Sequence, residues 1–295
     1  NEKIHWYGST RTPKEVIANV CGKEVSAEPL VRYFEKKYAS QKGRSRYIDF
    51  NQGVDARLFT DEIVSLLAQV PIRPLRIAFD DIKTEEDYTK ALKMSVKHGI
   101  KDFSNYLLYN FKEQPIDLYH RMRINVDLCE ELNVSIYSFP MKYHPIRDEH
   151  SHDRDYIGKH WNRKYIRAVQ AILNATKGKI GRGVSFFEKA FGRNEDEFME
   201  LLIMPETFLL FRFFFEHLGY TDKWRADMAC LTDEERSIIM PIILKNKFTD
   251  IDNLDVNEKI KKVLSYYKNY RSEIADSRSE LYKLKRDFEK KKLGI

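Results

Sequence analysis

With 295 residues, 42% of them hydrophobic and 33% charged, the chain has the size and composition of a globular protein with room for two domains, which excludes a disordered or fibrous class. A net charge of +6 permits an anionic partner without establishing one. The most apolar run, Phe208 to Leu218, is too short for a bilayer span and carries Arg212 and Glu216, so no membrane partner is expected.

Cys21, Cys129 and Cys230 are isolated and odd in number, which argues against a disulfide framework or a cysteine metal spacing. They predict three inert thiols in a reducing cytoplasm. No early stretch reads as a secretory signal.

The first elements are two helices, one opening at Thr12-Pro13 and running to Val20, the other spanning Glu28 to Lys37. From Tyr47 the pattern alternates. Tyr47 to Asn51 reads as a strand. Thr60-Asp-Glu-Ile then opens a capped helix that should carry Ile63, Leu66, Leu67 and Val70 inward. Leu75 to Phe79 is the next strand, and Thr84-Glu-Glu-Asp starts a helix that stops at Gly99. Tyr106 to Tyr109 is a third strand, followed by a helix from Pro115 to Leu132. A fourth strand, Val134 to Phe139, is closed by Pro140. Strands alternating with helices of this length imply parallel, right-handed crossovers, hence an α/β barrel or an open doubly wound sheet.

Beyond Ile146 the period changes to helices near 156–175, 186–191, 195–203, 206–218 and 233–244, the last one kinked by Pro241. A long lysine-rich helix is predicted from Val256 to Lys292. The expected division is a partial barrel over 1–150 and an all-helical domain over 151–295.

Ligands in parallel α/β architectures meet the carboxyl ends of the strands, and those ends are polar here. After the first strand come Asn51, Gln52, Gly53, Asp55 and Arg57. Gly53 permits close ligand approach. Asp55 and Arg57 could hold a zwitterion, or could pair with each other to fix the loop. Asp80-Asp81 ends the second strand, one acid free to meet a sugar diol or cation and the other to cap a helix, or both serving as helix-start residues. Asn110 can read a base or amide edge. Met141 and Tyr143 could cover an adenine or pack beneath the helical domain. His150, His152, Asp153 and His160 do not make a metal site, because no third ligand stands at fixed spacing. Lys159-His160-Trp161-Asn162 is expected to anchor the two domains.

In order, Asp49-Phe-Asn-Gln-Gly-Val-Asp-Ala-Arg57, Ala78-Phe-Asp80, Leu107-Leu-Tyr-Asn110 and Tyr137-Ser-Phe-Pro-Met-Lys-Tyr143 resemble the later strands of radical S-adenosylmethionine enzymes, especially bacterial members with an NQGxDAR strand. The resemblance covers about residues 10 to 175. It implies a six-unit partial parallel barrel with its first strands missing from this chain, a 4Fe–4S cluster, S-adenosylmethionine, an electron donor, and hydrogen abstraction from an unknown substrate by a 5′-deoxyadenosyl radical. It further implies that Asp55, Arg57, Asp80 and Asn110 face cofactor or substrate, with Met141 and Tyr143 near the adenine.

The CxxxCxxC loop that such a cluster requires is not in the chain, so its ligands would lie outside these residues. Two other readings remain. One is a degenerate, non-catalytic barrel that binds protein or RNA through the basic C-terminal helix. The other is a nucleic-acid-modifying enzyme that uses the same helix.

Overall fold

The computed structural model describes residue 32 and residues 46–294, apart from 147, 148, 152, 181, 182 and 250. The two helices expected before Tyr47, together with Cys21 and His152, lie outside the described residues.

Three parallel strands form the sheet: β1 (Leu75–Arg76), β2 (Asp102–Tyr109) and β3 (Ser135–Lys142), in the order β1-β2-β3. The stretch read as a first strand makes only isolated parallel bridges, Ile48 to Ile72 and Val54 to Ile77. Its ladder fails where Asn51-Gln52-Gly53 bends the backbone, and pairing resumes as Val54 N–H donates to Arg76 O at 2.9 Å. The described sheet is therefore open, and the six-unit radical-enzyme barrel is not what these strands build.

Helices α1 (Asp61–Ala68), α2 (Glu85–Lys97) and α3 (Pro115–Glu131) connect the strands. Thr60 caps α1, its hydroxyl accepting from Ile63 N–H at 3.2 Å. α1 is short and buries Val64, while Ile63, Leu66 and Val70 stay exposed, contrary to the expected inward stripe. α3 opens with Gln114 and Asp117 in a reciprocal capping box and with Pro115 in its first turn.

One face of the sheet packs on α3, and Tyr88 of α2 reaches it through Asn105. Phe103, Leu107 and Ile136 meet Leu92, Met122 and Val126 in the core. A buried polar chain runs through it. Tyr88 donates to Asn125 Oδ1 at 2.7 Å, Asn105 donates to the Tyr88 oxygen at 2.8 Å, and Asn125 donates to Ser138 at 3.0 Å.

The rest of the chain is helical: α4 (Arg163–Ala175), α5 (Val184–Phe191), α6 (Glu195–Ile203), α7 (Glu206–Leu210), α8 (Arg212–His217), α9 (Tyr220–Ala229), α10 (Asp233–Lys245), α11 (Glu258–Ser265), α12 (Arg271–Ala275) and α13 (Glu280–Leu293). The helix expected over 206–218 breaks at Phe211, whose φ and ψ are −119° and 43°. The break turns Phe208, Phe214 and Phe215 into the core, more apolar surface than one straight helical face buries, and leaves Phe213 half-exposed.

The single helix expected after Val256 is three. Asp276 accepts from Arg278 N–H at 3.0 Å and Ser279 caps Tyr282 N–H at 3.0 Å. These local bonds end one helix and start the next. α3 packs against α5 and α6, joined by Arg123 to Glu188 at 3.2 Å and by Tyr119 to Gly192 O at 3.2 Å. Among the described residues, no helix is long and apolar enough to cross a membrane.

Candidate functional site

The parallel strands all point their carboxyl ends one way, and Arg121 of α3 organises that edge. Its fully buried guanidinium donates to Phe79 O at 3.0 Å and to Leu108 O at 2.6 Å, binding the ends of β1 and β2 together. Burial pulls the Arg121 pKa down, while Glu113 and Asp80 push it back up.

Around this cation stand acids with distinct tasks. Asp81 is committed to the backbone, accepting from Lys83 N–H at 3.0 Å as the cap of a short 3-10 turn at Ile82–Thr84. Asp80 has no such task. Although the residue is exposed overall, its carboxyl lies in against the strand ends. That desolvation raises its pKa, opposed by a hydrogen bond from the Leu108 backbone and by the charge of Arg121. Glu113, in the loop after β2, is raised in the same way by burial, against hydrogen bonds from its own and the Phe111 backbone. Two carboxyls held above their ordinary range thus stand beside a buried cation.

The loop after the first bridge resolves differently. Asp55 and Arg57 form a two-pronged pair, Nε to Oδ1 at 2.9 Å and Nη2 to Oδ2 at 2.6 Å. Asp55 also accepts from Arg57 N–H at 3.0 Å, and these hydrogen bonds lower its pKa to about 2. The arrangement is the loop-fixing one, capping a 3-10 turn at Ala56–Leu58. Asn51 is exposed. Gly53 lies against the backbone of Ala78, where a Cβ would come within 3.3 Å of the Ala78 nitrogen.

Asn110 is fully buried in left-handed backbone at φ 71°. Its amide is spent within the protein. It donates to Tyr156 O at 3.0 Å and Tyr143 O at 3.3 Å, and accepts from Gly158 N–H at 2.8 Å. Asn110 thus latches the segment from Tyr143 to Gly158 onto the strand ends. Tyr143 packs on Phe111 at 4.3 Å between ring centres, and Met141 is exposed on β3. Trp161 donates to Glu113 O at 3.2 Å, which fastens the start of the helical region to the same edge.

The sheet face away from α3 holds residues that sequence reasoning passed over. Arg76 is buried, pairs with Asp49 at 3.2 Å and stacks over Tyr106 at 4.7 Å. Its Nε and Nη1, and the Ser104 hydroxyl opposite it in register, are buried without hydrogen-bond partners. Tyr137, Phe139 and Met141 continue this face as exposed apolar side chains. Arg76 sits mid-strand between apolar neighbours, the one signal in sequence that could have marked it. Arg121 carried no signal in its heptad of mixed polarity.

The profile of the carboxypeptidase Taq (M32) metallopeptidase family matches residues 1–38, about an eighth of the chain and outside the described residues except for Arg32. No curated protein and no solved structure matches the chain significantly.

These findings correct the radical S-adenosylmethionine assignment. The family match points elsewhere, the described strands form an open three-stranded sheet, and the donor set for a 4Fe–4S cluster is not there. Cys129 is buried in α3, where its sulfur accepts from Ile136 N–H, and Cys230 is exposed just after α9. Among the described residues, no group of three His, Cys, Asp or Glu side chains could hold a metal ion. With the cluster falls the S-adenosylmethionine role assigned to Asp55, Arg57, Asp80, Asn110, Met141 and Tyr143, together with the electron donor.

The helical His-Glu-x-x-His pair that holds zinc in many metallopeptidases occurs nowhere in the 295 residues, since no histidine is followed by glutamate.

Proposed function

We propose that the carboxyl edge of β1 and β2 binds a small polar molecule that presents hydroxyl or ammonium groups to Asp80. The observation that carries this reading is the division of labour between adjacent acids. Asp81 caps the turn, and Asp80 remains with its carboxyl at the strand end, opposite Arg121 and near the raised carboxyl of Glu113. A carboxyl whose pKa is raised is a stronger hydrogen-bond and proton acceptor than an ordinary one. Gly53, Asn51 and the Asp55–Arg57 loop form one wall of the site in this reading, and Met141 and Tyr143 the other. Asn110 keeps the second wall in place. The isolated thiols fit a cytoplasmic setting.

The reading is tested by thermal shift of the protein against a panel of amino acids, nucleosides and sugars. A ligand that raises the melting temperature of the wild-type chain should lose that effect in Asp80→Asn, while Asp81→Asn lowers the basal melting temperature and leaves the ligand shift intact. A ligand shift of equal size in Asp80→Asn overturns the assignment.

A further inference from the structure

A concavity lies among the helices. It has a volume of about 410 Å³ and lies between α4, α5, the α7–α8 break and α13. That volume is in the range of small-molecule sites. Its floor is apolar, with Ile172, Leu210, Phe211 and Phe214 from one side and Phe288 from α13. Phe213 and Phe186 stand on its rim, 53% and 39% exposed, a cost the fold bears without an internal packing gain.

The rim is cationic. Lys292 Nζ stands 4.4 Å from the Phe213 ring centre and 5.9 Å from that of Phe288, and Lys285 Nζ stands 5.5 Å from that of Phe211. The acid of the lining, Glu289, is already engaged by Lys285 at 2.6 Å. Among the described residues, no carboxylate is within ion-pair distance of Lys189 or Lys292. Arg212 is turned away from this role. Its guanidinium is anchored on the carbonyls of Lys189 and Ala190 at the end of α5, and on Glu216.

An apolar trough whose lining includes Lys189 and Lys292, neither ion-paired among the described residues, complements one chemistry, an apolar chain ending in an anion. Lys292 extends over ring faces, where its stem adds apolar cover and its charge meets the anion. We propose that this groove binds a single-chain anionic amphiphile from solution. The chain lies along Phe211, Phe214 and Phe288, and the carboxylate sits between Lys189 and Lys292. The basic C-terminal helix then serves a molecule of this kind and not a nucleic acid.

Calorimetric titration of the full chain with dodecanoate, below its micelle concentration, tests this. One saturable site per chain is expected, with binding weakened at least tenfold in Lys292→Glu. Dodecanol, which has the chain without the charge, should bind the wild type and Lys292→Glu equally. Lys292 is an exposed residue in the last turn of α13, so the variant folds. Ala175→Trp, which fills the trough, should abolish binding of both compounds. The proposal is overturned by non-saturating uptake, by equal binding of dodecyltrimethylammonium, by an unchanged affinity in Lys292→Glu, or by sedimentation with anionic vesicles in the absence of monomer binding.

Discussion

Asn110 shows how much one side chain can hold. Three hydrogen bonds fix the 143–158 segment to it, and its backbone is already in the left-handed region. Asn110→Gly keeps that backbone accessible and removes all three bonds, so the cost isolates the latch at about 2–4 kcal/mol. The midpoint of urea unfolding should fall with an unchanged slope. Gly158 is the partner constraint, because a Cβ there would come within 2.7 Å of Asn110 O.

Protonation separates the acids at the same scale. The folded pKa of Asp55 is depressed, so its stabilising contribution is present above the unfolded value of 3.8 and disappears as pH falls through about 2. Carbon-detected NMR titration should place Asp55 near 2, and Arg57→Ala should return it toward 3.8. Asp80 has the opposite sign. Its folded pKa is raised, so its contribution is fully present below 3.8 and is lost as pH rises through the folded value. Asp80→Asn should therefore be more stable than wild type at pH 7, with the gain vanishing below pH 3.8.

Helix starts were among the most readable features of the chain, because their chemistry is confined to four residues. Thr60 and Pro115 were placed from sequence, and the structure uses both. Thr232 follows the same logic. Its hydroxyl accepts from Glu235 N–H at 3.2 Å, and Glu235 accepts in return from Thr232 N–H at 2.9 Å. Thr232→Ala should cost about 1 kcal/mol, read by thermal unfolding.

Helix breaks were not readable. Phe211 and Asp276 interrupt segments whose composition favours continuation, and the interruption is decided by what the flanking apolar residues must reach in three dimensions. The strand alternation was legible from Leu75 onward. The stretch before it was not, since Tyr47 to Asn51 alternates correctly and yet finds only a single bridge to Ile72. The site was legible in its acids and missed in its arginines. Asp80 and Asp81 stand side by side in sequence, whereas Arg121 acts through carbonyls 13 and 42 positions away.

Within residues 48–295, which form one compact unit, Lys164 is fully buried. It donates to Met204 O, and burial lowers its pKa to about 7, with Glu206 opposing the shift. The unfolded chain binds this proton up to pH 10.5, so between pH 7 and 10.5 it holds more protons than the folded one and stability rises with pH. The slope is at most about 1.4 kcal/mol per pH unit. The melting temperature should therefore climb from pH 7 to 9, and Lys164→Met should flatten that climb.

β3 has β2 as its only strand neighbour among the described residues. Pro140 sits within that strand, opposite Leu107, and offers no N–H to a further strand. Tyr137 and Phe139 would otherwise make this stretch sticky. The residue that looked like the end of a strand thus interrupts the hydrogen-bonding rail on the side of β3 away from β2, and Pro140→Val should speed thioflavin-positive aggregation of the protein.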